Sequence, residues 1–215
     1  MTDESEKPRN RRGLTLLFTR PTVFCFLLLY LYSPLTRAQS PGGVPVFEVT
    51  PLGSKIKFDV EASVAIVGTF DKWNATLTFT STDVATGVLD IKIQAASVDT
   101  GSGMKNGKLK GKDFFDVENN PLITFKSTKI VHTGPATFEV DGDFTIRGVT
   151  KAEKLTLTVS GRGQTTGDIK GIMAFDRKEY GMNSGIPFIK IANRVEVGLH
   201  LKLKRISGPP VDLKQ

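Results

Sequence analysis

The residues whose types and spacing could support chemistry lie in a short polar segment near the middle of the chain. Asp113 and Asp116 flank the adjacent phenylalanines Phe114 and Phe115. A pair of carboxylates can serve as general acid and base, although carboxylates beside a bend more often form caps and turns. Two adjacent aromatic side chains in a connecting segment should be buried, and here they could form a lid over an apolar cavity.

The other candidate catalytic groups are isolated in the sequence. His132 and His200 are the only histidines, and as metal ligands they would need cysteine or clustered carboxylates as partners. No serine lies in a Gly-x-Ser-x-Gly elbow, and Gly101-Ser102-Gly103 is too short for a phosphate-binding loop. The residues therefore predict no catalytic group, no metal site and no cofactor.

Residues 1–38 have the layout of a secretory signal peptide. A basic leader precedes residues 21–32, which are uncharged and mostly apolar, and Thr36-Arg37-Ala38 places small residues at the −3 and −1 positions before Gln39. The alternative is an uncleaved anchor, for which the apolar run is short. We therefore expect a periplasmic or secreted protein after signal-peptide cleavage.

Cleavage would also change the charge and the redox chemistry of the chain. The formal net charge would fall from +7 to +4, because residues 1–38 hold six Lys or Arg and three Asp or Glu. A modest positive charge spread over the chain does not indicate a nucleic-acid partner. The single cysteine, Cys25, would be removed, so no disulfide can form and one hydrophobic core must hold the single expected domain together.

Apolar and polar residues alternate with period two through most of the remaining chain, which is typical of antiparallel strands with one dry face. Turn signals such as Arg147-Gly148 separate the strands, and residues 102–112 hold three glycines, so we expect at most a helical turn or two there. The last strand, about ten residues long, exceeds the usual five or six and favours a closed barrel. The alternating segments are 55–60, 76–80, 89–94, 154–159 and 194–204.

This pattern predicts an all-β fold: an antiparallel eight-stranded barrel with a short helical or irregular insertion near its mouth. Residues 39–45 would form a linker, residues 46–206 the barrel and residues 207–215 a loose tail. The inward-facing apolar residues would fill a solid core or line an apolar central tunnel. They are Ile56, Phe58, Val60, Phe70, Leu77, Phe79, Ile91, Phe114, Phe115, Phe125, Phe144, Leu155, Leu157, Val197 and Leu199.

Several segments between residues 46 and 204 carry a specific resemblance when they are taken together. They are Ser54–Phe58, Val67–Phe70, Ser97–Gly101, Lys108–Asp116, Pro121–Thr128, Gly142–Lys151 and Asp176–Met182. They resemble the signatures of the YceI-like family of bacterial polyisoprenoid-binding proteins. The chain differs from the family pattern at Ala62, Lys105, Asn106 and Lys108, so a polar head-group contact at those positions does not carry over from the resemblance.

The resemblance implies a lipocalin-like barrel around a long apolar tunnel, no catalysis, and an amphiphilic ligand with an isoprenoid tail such as a quinone or polyprenyl lipid. The residues alone do not choose isoprenoids over other long-chain lipids. Two other functions stay open, an enzyme acting on a lipid head group at the tunnel mouth and a structural envelope stress protein with a filled core. Transient membrane contact is compatible with all three functions, and the sequence does not predict the oligomeric state.

Overall fold

The computed structural model describes residues 43–161, 165–185 and 188–213. The expected signal peptide lies outside these residues, as does most of the expected linker. The elements, in chain order, are β1 (Val46–Ala62), β2 (Ile66–Phe70), β3 (Trp73–Thr78), β4 (Val88–Gln94), β5 (Val98–Asp99), α1 (Gly103–Lys110), β6 (Leu122–Gly134), β7 (Thr137–Ile146), β8 (Val149–Ser160), β9 (Thr166–Asp176) and β10 (Ile191–Ser207).

The strands form one antiparallel sheet that closes on itself, because β10 pairs with both β9 and β1. Strands β2 and β3 lie against the same side of β1, with Lys57 opposite Thr69 and Val46 opposite Thr78. Strands β5 and β4 continue this arrangement, since β5 pairs with β2 and β4 pairs with β3. The ten strands thus occupy eight positions around the barrel, which confirms the predicted eight-stranded fold.

The predicted alternation of apolar and polar residues along the strands places the hydrophobic core inside the barrel. In β1, Ile56 and Phe58 are buried, whereas Lys55 and Lys57 are exposed. The same alternation in β4 and β6 to β10 places one apolar face of every long strand inside the barrel. Burial of the inward side chains from all strands, each contributing about 1.5–3 kcal/mol for a large apolar residue, stabilises the closed sheet without a disulfide.

The barrel has two distinct ends, which we name by what covers them. At the helix end lie α1, residues 111–121 and residues 177–185, since these follow β5 and β9 where those strands finish. Arg147, in the β7–β8 turn at this end, donates to the carbonyl oxygens of Gly181 and Lys112 and so joins these covering segments. Arg147 and Gly148 have φ of 55° and 74°, which a tight hairpin turn requires.

The tail end is covered by residues 208–213, and this corrects the prediction of a loose tail. The backbone N–H of Asp212 donates to the carbonyl of Thr82 at 2.7 Å, and Arg205 Nη1 donates to the carbonyl of Gly208 at 2.8 Å. Leu213 packs against the hydrophobic core. The glycine and prolines of this segment indicated a chain without secondary structure, but its apolar side chains dock on the barrel.

The carboxylates beside the phenylalanine pair have structural partners. Asp113 accepts a hydrogen bond from Lys108 Nζ at 2.8 Å, and this contact lowers the pKa of Asp113. Asp116 has a φ of 50° and accepts hydrogen bonds from the side chains of Asn119 and Asn120. These contacts are those of turn-forming residues, the more frequent role considered for the pair.

The helical insertion is short, as the sequence predicted. Ser102 caps α1, whose eight residues end before Gly111. Among the described residues, no helix has both the length and the apolar character needed to cross a membrane.

On the outer face of β9 and β10, Asp168 forms an ion pair whose contribution to stability should depend on pH. Lys202 Nζ lies 3.0 Å and His200 Nε2 lies 2.5 Å from Asp168 Oδ1. The hydrogen bond from Lys202, followed by that from His200, holds the pKa of Asp168 below its ordinary value. The folded-state pKa is lowered, so the stabilising contribution is present above the unfolded pKa of about 3.9 and is lost as the pH falls through the folded value.

We therefore expect Asp168→Asn to lower the free energy of unfolding at pH 7 and to make a smaller difference below about pH 4, where the wild-type carboxylate becomes protonated. Urea denaturation of both proteins at neutral and acidic pH measures this difference. A difference that stays constant over the whole pH range would show that Asp168 contributes through packing rather than through charge.

Candidate binding site

Within the described residues, three apolar cavities follow one another along the barrel axis. The helix-end cavity has a volume of about 70 Å³, the central cavity about 30 Å³ and the tail-end cavity about 100 Å³. Their order follows from their lining: the first is lined by the strand ends nearest α1, and the last by the opposite strand ends and residues 210–213. The expected single tunnel is divided into compartments in this structure.

The helix-end cavity is covered by the phenylalanine pair. Phe114 and Phe115 are both buried and line this cavity, as does Leu109 of α1. The ring of Phe115 lies 5.9 Å from that of Phe70 and 6.4 Å from that of Phe58, centroid to centroid. The pair is therefore buried as predicted and forms an aromatic cover with the barrel wall.

The central and helix-end cavities share part of their lining. Ile56, Phe144 and Val197 line both, so only a thin constriction separates the two spaces. A pair of leucine side chains forms the boundary between the central and tail-end cavities. Leu157 lines the tail-end cavity and Leu199 the central one, and both side chains converge over Gly171, where an added Cβ would lie 2.8 Å and 2.7 Å from them.

All of the predicted interior residues line one of the three cavities, although their contact with a ligand remains a prediction. In the helix-end cavity lie Ile56, Phe58, Val60, Phe70, Phe114, Phe115, Phe144 and Val197; in the central cavity also Ile91, Phe125, Leu155 and Leu199; and in the tail-end cavity Leu77, Phe79 and Leu157. Phe138 also lines the tail-end cavity and was not predicted, although its position in an alternating segment could have identified it. Pro210, Val211 and Leu213 line the same cavity and were not predicted, because no periodicity marks them.

Inward-facing glycines let two aromatic rings lie against the barrel wall. A Cβ atom at Gly68 would lie 2.6 Å from the ring of Phe58, and one at Gly142 would lie 2.5 Å from the ring of Phe125. Both distances are shorter than any van der Waals contact, so each ring occupies the space that a side chain would fill. The interior thereby gains aromatic surface while the axis stays open enough for cavities.

Two polar side chains at the helix end are buried and fully engaged with the fold. Arg177 donates from Nε to the carbonyl of Ala192 at 3.0 Å and from Nη1 to the carbonyls of Ser184, at 3.0 Å, and Met182. Tyr180 donates its hydroxyl to Glu153 at 2.7 Å. Burial, and secondly the Glu153 carboxylate, raise the pKa of Tyr180, so the phenol stays a neutral donor. These contacts give both side chains a structural role, because they tie residues 177–185 to β8 and β10.

The positions at which the chain differs from the family pattern lie in and around α1. Asn106 accepts a hydrogen bond from the backbone of Thr100 at 2.8 Å, and its amide group donates to Asp99 at 3.1 Å. Lys105 Nζ donates to the carbonyl of Ala65 at 3.1 Å. These side chains hold the helix in place over the cavity, and none of them lines it.

The two histidines lie apart from the cavities of the barrel axis. His132 stacks on Phe138 with ring centroids 4.8 Å apart, and His200 contacts Asp168 on the outer face. In the part of the chain that the structure describes, no three His, Cys, Asp or Glu side chains form a group that could hold a metal ion.

The closed sheet and the apolar interior define a lipocalin-like barrel. Residues 47–203 match the YceI-like domain, and the chain belongs to the YceI-like family. Curated relatives are UPF0312 proteins. That of Pseudomonas syringae pv. syringae is 33% identical over 99 residues, which cover 46% of this chain and 52% of the relative. That of Vibrio cholerae O1 El Tor is 27% identical over 139 residues, covering 64% of this chain and 73% of the relative. The chain thus matches about half the length of the Pseudomonas relative.

Solved structures show the same fold. BcnA of Burkholderia cenocepacia superimposes with a TM-score of 0.66 at 28% identity, covering 72% of this chain and 99% of that protein. A polyisoprenoid-binding domain from Saccharophagus degradans, described as implicated in plant cell wall breakdown, superimposes with a TM-score of 0.61 at 16% identity, covering 75% of this chain and 99% of that domain. At this identity the second likeness shows the fold alone.

Proposed function

We propose that the barrel binds one amphiphilic isoprenoid-type lipid, a quinone or a polyprenyl chain, in its interior, for storage, carriage or protection in the bacterial envelope. The observation that carries the proposal is the row of apolar cavities along the axis, lined by the predicted inward residues of nearly every strand. Family membership and the polyisoprenoid-binding name of the Saccharophagus structure support the same class of ligand.

The chemistry of the lining favours a ligand recognised mainly by its tail. The central cavity is lined by apolar side chains and Thr124. The helix-end cavity is lined by apolar side chains and Arg177, which donates hydrogen bonds to backbone carbonyls. The tail-end cavity adds Ser160, Thr166 and Arg205 to its apolar lining, so the polar side chains available to a head group are few and lie mainly at that end. The same lining offers no nucleophile and base for catalysis, so we propose binding without turnover.

Affinity should increase with tail length until the interior is full. Each buried CH₂ contributes about 0.8 kcal/mol. A long isoprenoid would nominally exceed the practical limit of about −18 to −21 kcal/mol. The actual binding free energy is smaller, because the tail loses conformational freedom on binding and because the free lipid already buries its tail in micelles. The divided interior adds a step, because a tail that extends from the central into the tail-end cavity must displace Leu157 and Leu199.

We expect delipidated protein to bind prenols and quinones with an affinity that rises with each isoprene unit and then levels off, and to respond less to the head group. Native mass spectrometry, with competition against a fluorescent lipid, measures both dependences. Fatty acids of matched length serve as the control for tail branching. A head-group change that alters affinity more than several isoprene units would contradict recognition by the tail.

The same samples separate the other functions. An empty protein after mild purification, and no uptake of any lipid, would favour a structural protein with a filled core. Chemical change of the bound lipid over hours would favour an enzyme acting on its head group. The proposed envelope location requires removal of residues 1–38, and the mass of the protein recovered from cells measures whether the chain begins at Gln39.

A further inference from the structure

We propose that the helix end of the barrel docks on the surface of an anionic lipid bilayer, through a rim made by three exposed apolar side chains and the lysines beside them. The rim comprises Val64 in the β1–β2 turn, Met104 on α1 and Phe188 before β10. Transfer of lipid through this end rests on the proposed function, whereas docking can be measured by itself.

The apolar side chains of the rim are unusually exposed for their size. Val64 is 53% exposed, Met104 88% and Phe188 fully exposed. A single exposed apolar residue is ordinary on a protein surface. Several such residues grouped at one place indicate an interaction surface with a protein or a membrane.

Hydrogen bonds connect the three segments that carry these side chains. Lys105 Nζ, next to Met104, donates to the carbonyl of Ala65, next to Val64, at 3.1 Å. The backbone of Lys190 donates to Ser63 Oγ at 3.2 Å, and the backbone of Ser63 donates to the carbonyl of Lys190 at 2.9 Å. The β1–β2 turn therefore contacts both α1 and the segment that carries Phe188.

The charge of this end complements an anionic surface. Helix α1 carries Lys105, Lys108 and Lys110 and no acidic residue, and Lys190 is exposed on the neighbouring segment. Lys108 is paired with Asp113. Lysines near an anionic membrane each contribute attraction, whereas they would oppose contact with a basic or apolar partner.

On the outer wall of the barrel, by contrast with Lys105, lysines lie beside acidic side chains. There Lys126 lies opposite Asp143 in the β6–β7 ladder and Lys129 lies opposite Asp141. Lys154 forms an ion pair with Glu139 at 2.7 Å. These three lysines of the outer wall face acids on neighbouring strands. On α1, Lys108 and Lys110 have Asp113 and Asp99 as acidic neighbours, whereas Lys105 donates to a backbone carbonyl.

The rim also lies directly outside the proposed binding site. Leu109, on the same helix as Met104, lines the helix-end cavity from within, and Ile66, two residues from Val64, lines it as well. Only one layer of chain separates the exposed rim from the cavity. Apolar tips surrounded by lysines match the interfacial region of a bilayer with anionic head groups, where apolar groups enter and cations remain at the surface. An acidic soluble protein would not require the apolar tips.

The test is co-sedimentation of delipidated protein with vesicles of phosphatidylcholine alone and of phosphatidylcholine and phosphatidylglycerol in equal parts. We expect binding to the mixed vesicles that weakens with added salt, because exposed charges are screened. Met104→Ser combined with Phe188→Ser should lower the partition coefficient at least about tenfold, since two side chains lose their apolar insertion. Lys105→Gln combined with Lys190→Gln should lower it about twenty-fivefold, at about fivefold for each lysine.

Matched controls lie elsewhere on the barrel. Leu52, in the irregular part of β1, is 85% exposed and lies far from the rim along the strand, so Leu52→Ser is the control for Met104→Ser alone, where the side chain is 88% exposed. Lys126→Gln combined with Lys129→Gln removes the same charge from the outer wall. Every variant carries the same amino terminus, so differences in vesicle binding report on the substituted residues. Melting temperatures identify any variant that fails to fold.

Equal losses in the control and rim variants would overturn the proposal, as would the absence of binding to anionic vesicles. Loss with the lysine variant and none with the Met104 and Phe188 variant would also overturn it and would indicate a soluble acidic partner. Prenol binding measured by mass spectrometry without vesicles separates the two proposals. If prenols fail to bind while rim-dependent docking persists, the lipid-binding function alone is wrong.

Discussion

Leu157→Trp is expected to abolish lipid binding in the tail-end cavity at little cost in stability. Leu157 lines the tail-end cavity, whose volume is about 100 Å³. A larger side chain can extend into existing free volume, whereas a close-packed interior would have to expand. The added indole would occupy the space that a lipid tail needs. Thermal unfolding of lipid-free protein and mass spectrometry of the lipid-loaded form measure the two effects separately.

Leu201→Trp provides the matched control. Leu201 is fully buried on β10 and lines none of the three axial cavities. The same substitution there should lower the free energy of unfolding by about 1–3 kcal/mol, because it overpacks a filled region. Equal destabilisation by both substitutions would mean that the interior near Leu157 is a solid core.

Gly142→Ala is expected to destabilise the barrel by about 1–3 kcal/mol and to reduce the capacity of the central cavity. The new Cβ would lie 2.5 Å from Cζ of Phe125 and 2.8 Å from the carbonyl oxygen of Lys126. The ring can move away, but only toward the cavity that it lines. The backbone carbonyl is held in the sheet and cannot move freely. Urea denaturation and the length of the longest prenol bound measure the two consequences.

Two further variants make this prediction specific. Gly107 lies inside α1 with no atom within 4 Å of an added Cβ, so Gly107→Ala should be neutral or stabilising by about 0.5–1 kcal/mol. Phe125→Leu in the Gly142→Ala background removes the ring tip and should recover part of the lost stability. An unchanged loss in the double variant would assign the effect to the backbone contact with Lys126.

The sequence predicted the barrel because burial in a closed antiparallel sheet repeats every second residue. The inward residues Ile56, Phe58, Leu155 and Leu157 follow directly from that alternation. Burial of Phe114 and Phe115 could also be predicted, since adjacent aromatic residues need a dry environment wherever the chain places them.

The remaining features depend on contacts between distant parts of the chain. Leu213 packs against a core built by strands that are distant in the sequence, so no local pattern predicts its docking. The division of the interior depends on Leu157 and Leu199 meeting over Gly171, which involves three different strands. The role of glycine at positions 68 and 142 also depends on pairing, since each one accommodates a ring from the neighbouring strand.

The pairing of β1 with β10 has a consequence for the order of folding. These are the two longest strands, residues 46–62 and 191–207, and they join the beginning and the end of the barrel sequence. The sheet cannot close until β10 has joined it, so one edge of β1 stays unpaired until that step. Proteins that depend on such long-range pairing fold slowly, and an unpaired edge can recruit other chains. Pairing of β10 with β1 thus encloses the axial cavities and covers the edge of β1 in the same step.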